Sequence, residues 1–230
     1  MRGRVPVSMS ALKLLFTPMC LAMACLLLPV VAIITVYLWS ASAGHVPWCV
    51  PFVEGCTTIS RAARPEPMNL LFRWTMLPWV GLVALYWGLS HHWLRQQVPR
   101  RRYSRYAMVG FALLGTGGVA LYALHLGGDT PMAEFMRSYG GVMVFSSLAF
   151  GQLMLVIAIR GHAPVPPGLR RGMLAVCLLL LGMGTMTAVG NAMLADGYTL
   201  VSAMEWNFGL VMLFFFPLTG LAWRYTGFGR

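Results

Sequence analysis

Apolar residues in this chain come in long continuous runs. The first covers about residues 14–40, interrupted only by Pro18 and Pro29, and five more follow at about 70–90, 107–126, 140–159, 173–194 and 203–223. Each is near the ~20 residues a helix needs to cross hydrocarbon. Proline is tolerated in such helices because neighbours re-satisfy the freed backbone groups. Runs without a period of two argue against membrane-barrel strands. The pattern predicts an all-α polytopic membrane protein, with one domain over residues 1–230 built as a bundle of six transmembrane helices. A secretory signal peptide is the rival reading of the first run, because Ala41-Ser42-Ala43 has the form of a cleavage site. A signal core, however, holds only ~7–15 apolar residues, and this run is longer.

Composition points the same way. The chain is 58% hydrophobic and 10% charged, against about 25% charged in soluble domains, so lipid must solvate much of its surface. The net charge of +11 raises nucleic-acid binding as an explanation. The basic residues sit instead in short connections between apolar runs, where they orient spans, and no nucleic-acid partner is expected. With the N-terminus in the cytoplasm, thirteen basic residues fall on that side: Arg2, Arg4, Lys13, Arg95, Arg100, Arg101, Arg102, Arg105, Arg160, Arg170, Arg171, Arg224 and Arg230. Only Arg61, Arg64, Arg73 and Arg137 lie outside. This asymmetry predicts that both termini are cytoplasmic. The dominance of arginine over the single lysine, Lys13, is compatible with a GC-rich bacterial genome, and the expected location is a bacterial inner (plasma) membrane. All six acidic residues (Glu54, Glu66, Asp129, Glu134, Asp196 and Glu205) fall on the outer half, which marks that face as chemically distinct.

The longest connection, residues 41–69, contains Pro47, Pro51, Pro65 and Pro67 and is expected to be ordered against the bundle. Within it, Cys49 and Cys56 would oxidise to a disulfide in an oxidising compartment. Free thiols are one alternative and zinc ligation another, although the pair lacks further ligands. Cys20, Cys25 and Cys177 lie in spans, where Cys behaves as a small apolar residue.

Three segments give the chain a likeness to a known family. The first is Val50-Pro51-Phe52-Val53-Glu54-Gly55-Cys56 with Ile59-Ser60. The second is Tyr139-Gly140-Gly141-Val142, opening a span that passes Gln152. The third is Ser202-Ala203-Met204-Glu205-Trp206, leading into Phe214-Phe215-Phe216. With the six-span layout, these resemble the DRAM-like family: the damage-regulated autophagy modulators and their relatives, including the factor that acts in lipid remodelling of GPI anchors. The family often has His where this chain has Arg137 or Ser138. The resemblance implies a six-span architecture and a lipid-linked role, mostly without a demonstrated reaction.

Glu205 opens the last span, where a carboxylate is costly and needs a partner or a water-filled cavity. Arg73, at the outer start of the second span, is its expected partner, and the pair reads either as a structural ion pair or as part of a ligand site. His125 and Asp129 are four apart, the spacing that shares a helix face, although Gly127-Gly128 is positioned to end the helix between them. Arg61 and Arg64 either fork onto a phosphate headgroup or pair with Glu54 and Glu66. Together Arg61, Arg64, Arg73, His125, Asp129 and Glu205 form the candidate ligand-binding set. His91, His92 and Trp93 with the arginines that follow make a basic interfacial patch that attracts anionic lipids. Small residues (Ala112, Thr116 and Ala120; Ser147 and Gly151; Gly182, Gly184 and Gly190) read as close helix packing, with an intramembrane cavity as the lesser reading. Asn191 reads as interhelical glue, and the scattered methionines as adaptable packing.

No P-loop, zincin or nucleophile-elbow motif is present, and the outer side offers only His45 and His125 toward a metal. No metal or other cofactor is expected, and no catalytic residue can be named. The expected role is a membrane accessory or lipid-handling protein whose outer site binds a lipid headgroup or a membrane-protein partner. A lipid-modifying enzyme performing acyl transfer or hydrolysis is the alternative, and a transporter or scramblase is a third.

Overall fold

The structure, a computed structural model, describes residues 18–161, 164–193 and 198–229. Arg2, Arg4, Lys13, Asp196, Arg230, the start of the first apolar run, the end of the fifth at Leu194 and the side chain of Asn191 lie outside the described residues. Eight helices are described: α1 (Pro18–Ser42), α2 (Pro51–Glu54), α3 (Ile59–Ala63), α4 (Met68–Gln97), α5 (Arg102–His125), α6 (Pro131–Ile159), α7 (Pro167–Met193) and α8 (Tyr198–Tyr225). Six of them, α1 and α4 to α8, are long and apolar enough to cross a membrane. The chain is an integral membrane protein with the six-span, all-α fold that its apolar runs predict. Large apolar side chains such as Val31, Trp74, Leu113, Val142 and Leu178 point outward from the bundle, as helices solvated by lipid require.

The helices outlast the apolar runs. α6 begins at Pro131 rather than near Gly140 because the Thr130 hydroxyl accepts the Ala133 N–H at 3.2 Å and Pro131 occupies the first turn. Capping chemistry, not hydropathy, sets that start, and it places Glu134, Arg137 and Ser138 on the helix. α4 runs on to Gln97, where the Val98 N–H closes the last turn on Leu94 O at 2.9 Å. Pro99 follows, and the residue before a proline is driven out of helical conformation.

Glycine sets the closest helix approach. A Cβ on Gly118 would lie 2.9 Å from Gly140 O and 2.9 Å from Val144 N, and one on Gly140 would lie 2.8 Å from Tyr122 N. α5 and α6 therefore cross backbone to backbone. Close packing of small residues replaces the hydrophobic drive that is missing between helices in lipid. The predicted Ala112 and Thr116 are buried but line a groove between α4 and α5, and the tight crossing itself uses Gly118 and Gly140. α1, α4 and α8 pack through aromatic rings instead. Tyr86 contacts Phe216 at 4.7 Å and Trp223 at 5.3 Å between centroids. The Trp79 indole donates to Cys25 O at 2.9 Å.

Residues 43–67 fold back on the bundle as α2 and α3, and Cys49 and Cys56 are joined in a disulfide. Gly55, with φ +58°, turns the chain out of α2 directly against the backbone of Thr199. Both the left-handed backbone and the absent side chain are needed there.

Alanine at Gly118 or Gly140 is expected to lower stability by about 1–3 kcal/mol through overpacking. Gly117→Ala, with nothing within 4 Å of the new methyl, should leave it unchanged or raise it. Thermal unfolding of the purified variants in detergent reads the difference.

Candidate functional site

Three consecutive side chains of α8 hold the returning loop. The Trp206 indole donates to Thr57 O at 2.8 Å, and Asn207 Nδ2 donates to Phe52 O at 2.7 Å. The Glu205 carboxylate lies against the backbone N–H groups of Ser60 and Ile59. Those N–H groups open α3 and have no partner inside so short a helix. Thr58 completes the cap by accepting the Arg61 N–H at 3.0 Å. α1 grips the other side of the loop: the Tyr37 hydroxyl accepts the Cys49 N–H at 2.9 Å and donates to Cys49 O at 2.7 Å. Tyr37 and Phe52 both pack edge-on against the Trp206 ring, at 5.7 and 5.4 Å.

Arg73 and Glu205 do not pair as the sequence led one to expect. Arg73 Nε donates to Ala123 O at 3.1 Å, a carbonyl in the last turn of α5. His125 Nδ1 donates to Leu121 O at 2.9 Å. α5 ends at His125, and Asp129 lies exposed beyond Gly127-Gly128, so His125 and Asp129 do not share a helix face. Arg61 reaches Tyr198 Oη at 3.4 Å. Glu54 accepts the Val50 N–H of its own loop at 2.6 Å, and the exposed Arg64 lends its carbonyl to Asn69 at 3.2 Å. The six candidate residues thus divide among the end of α5, the loop surface and α8. Of the six, Glu205 lines the large cavity between α6, α7 and α8.

That cavity lies between α6, α7 and α8 in the half of the bundle that carries the loop. It has a volume of about 670 Å³, with Ser60, Arg137, Ser138, Ser146, Thr187 and Glu205 supplying polar groups to its wall. Gly141 and Gly184 leave it open, since a Cβ on either meets only an aromatic ring, at 3.7 Å or more. Gly184 therefore shapes a cavity wall rather than a tight helix contact, contrary to the expectation from its sequence. Toward the membrane centre α6 and α8 close together. Phe145 packs on Phe208 at 5.1 Å, and Gln152 Nε2 donates to Met212 O at 2.9 Å. Tyr122, Gly141, Phe145 and Glu205 also line a second chamber of about 80 Å³ inside the bundle, walled otherwise by apolar residues such as Ile33, Phe72, Met76 and Leu213.

Two groups of this site are unsatisfied. The Tyr122 hydroxyl is buried beside the Ser60 side chain and Glu205, without a hydrogen bond of good geometry. Arg137 is half-buried on the wall and makes no hydrogen bond among the described residues. A buried orphan hydroxyl costs about 1–3 kcal/mol unless something fills the site. Sequence reasoning missed Tyr122, which carries no motif and lies in an apolar run. Arg137 was visible only as one outer basic residue among four.

Glu205→Ala is expected to destabilise the protein by about 1–3 kcal/mol by orphaning the α3 N–H groups, and Trp206→Phe by about 1 kcal/mol through the lost bond to Thr57. Both should speed tryptic cleavage after Arg61. Unfolding and limited proteolysis with unchanged rates would deny the clasp its role. Comparison of the chain with protein-family models, curated proteins and solved structures finds no match, so its geometry alone argues for what it does.

Proposed function

We propose that this protein is a lipid-handling protein of a bacterial inner membrane. Its outer-facing cavity holds a phosphate-bearing amphiphile, a phospholipid or a lipid-linked phosphate. The charge asymmetry of the connections carries the orientation. The observation that carries the function is an Arg137 guanidinium, without a hydrogen bond among the described residues, on the wall of a cavity that shares Tyr122, Gly141, Phe145 and Glu205 with a smaller apolar chamber. Arginine forks onto phosphate oxygens. Ser60 and Ser138 add hydroxyls on the same wall. An acyl chain suits the slot between α6 and α8. The lipid-linked role implied by the likeness to the DRAM-like proteins fits this reading.

Glu205 serves here as the clasp for α3 and shapes the neck from there. An enzyme using it as a general base would have to release it from Ser60 and Ile59, which makes binding the better reading. Polar groups gather in one half of the cavity system rather than along the full depth of a span, which disfavours transport.

Native mass spectrometry of the protein released from its own membrane is expected to show a retained phosphate-bearing lipid. Gly141→Leu fills the cavity and should lower the number of retained phosphate-bearing lipids by one. Arg137→Ala should weaken retention on the order of tenfold or more, the equivalent of a lost charge-assisted hydrogen bond. Unchanged retention in folded Gly141→Leu would refute the site.

A further inference from the structure

A second cavity lies at the opposite end of the bundle. It is a groove of about 280 Å³ between α4 and α5, with Ala84, Gly88 and Leu113 among its apolar lining. His91 from one wall and Tyr106 from the other line its polar end, their ring centroids 5.8 Å apart. Trp87, one turn deeper on α4, lines it too and has a buried indole N–H without an acceptor. Arg105, Arg95 and His92 are the cationic groups surrounding His91. Arg105 is itself buried, held by the carbonyls of Val98 at 3.3 Å and Pro99 at 3.0 Å, with its Nε unpartnered. The turn carries five arginines between residues 95 and 105, and no acidic residue occurs between Glu66 and Asp129. This charge is therefore not neutralised from within its own two helices.

We propose that this groove is a seat for one anionic phospholipid of the leaflet at the α4–α5 turn. Its phosphate would lie at His91 and Arg95, and an acyl chain would lie over Gly88 between the two helices. The depths agree with the order of groups in a phospholipid. The charged headgroup lies level with the arginines. The glycerol ester oxygens fall about a turn deeper, level with Trp87, and the hydrocarbon runs along Gly88 and Leu113. A basic patch alone attracts anionic lipid diffusely, whereas a groove with polar groups at graded depth fixes one molecule. The seat is independent of the outer-half cavity and does not rest on the function proposed for it.

Gly88 provides the test, because nothing lies within 4 Å of a Cβ built there, so a larger side chain can enter the groove without displacing protein. The full chain is delipidated in detergent, offered phosphatidylglycerol or phosphatidylcholine, and read by native mass spectrometry. The expected result is one tightly held phosphatidylglycerol at least several-fold preferred over phosphatidylcholine. Gly88→Leu should lose it while Gly141→Leu keeps it. Arg95→Gln should reduce the headgroup preference at least threefold. Equal binding of both lipids by the wild type, or undiminished phosphatidylglycerol on folded Gly88→Leu, would overturn the proposal. Should Gly88→Leu fail to fold, a photoactivatable phosphatidylglycerol on the wild type decides the question. Cross-links on residues 84–116 support the seat, and cross-links confined to other helices overturn it.

Discussion

The loop end of this protein depends on one arrangement: a stretch of irregular backbone held against the bundle by consecutive side chains of a single helix. Backbone N–H and C=O groups near hydrocarbon must find partners inside the protein. Residues 43–67 find theirs on α8 and α1, through Glu205 at the start of α3, Trp206 at Thr57, Asn207 at Phe52, and Tyr37 at Cys49. The disulfide between Cys49 and Cys56 closes the same stretch covalently. The clasp also explains why an acidic side chain can be kept at the head of an apolar helix. Its carboxyl group accepts from the N–H groups that open α3, which no carbonyl within so short a helix can satisfy.

The cavity follows from unequal packing on the two sides of α6. Against α5, Gly118 and Gly140 bring the backbones into contact. Toward α8 there is no such seam. The two helices meet only deeper, at Phe145–Phe208 and Gln152–Met212, and diverge toward the loop. Tyr122 sits one turn beyond Gly118, so the tight crossing also fixes the hydroxyl at the neck of the space that the loose side leaves. One helix thus has a sealed face and an open face, and the polar groups gather on the open one.

Nine of the described arginines lie at the end opposite the loop, and the other four lie at the loop end. The two ends carry different chemistry. At the loop end, acidic and basic groups are mixed and Arg137 faces a cavity. At the other, arginines gather with no Asp or Glu in the flanking helices, beside a groove between α4 and α5. Each end joins an apolar slot to a cation, the pairing that suits amphiphiles with anionic heads.

The number of spans, their approximate places and the helical class were legible in the sequence, because crossing hydrocarbon demands long apolar runs whatever surrounds them. The ordered loop and its cysteine pair were legible for a similar reason, being local in the chain. The partners of Glu205, Arg73 and His125 were not. Depth along a span can be read from sequence, but rotation about the helix axis cannot when every face is apolar, and rotation decides which polar groups meet. Arg73 turns to the end of α5 and Glu205 to α3, although both lie at similar depth. Tyr122 and Gly141 acquire meaning only once α5, α6 and α8 are assembled around one space. Hydropathy determined that six helices cross the membrane, and tertiary packing alone decided where they part to leave room for a ligand.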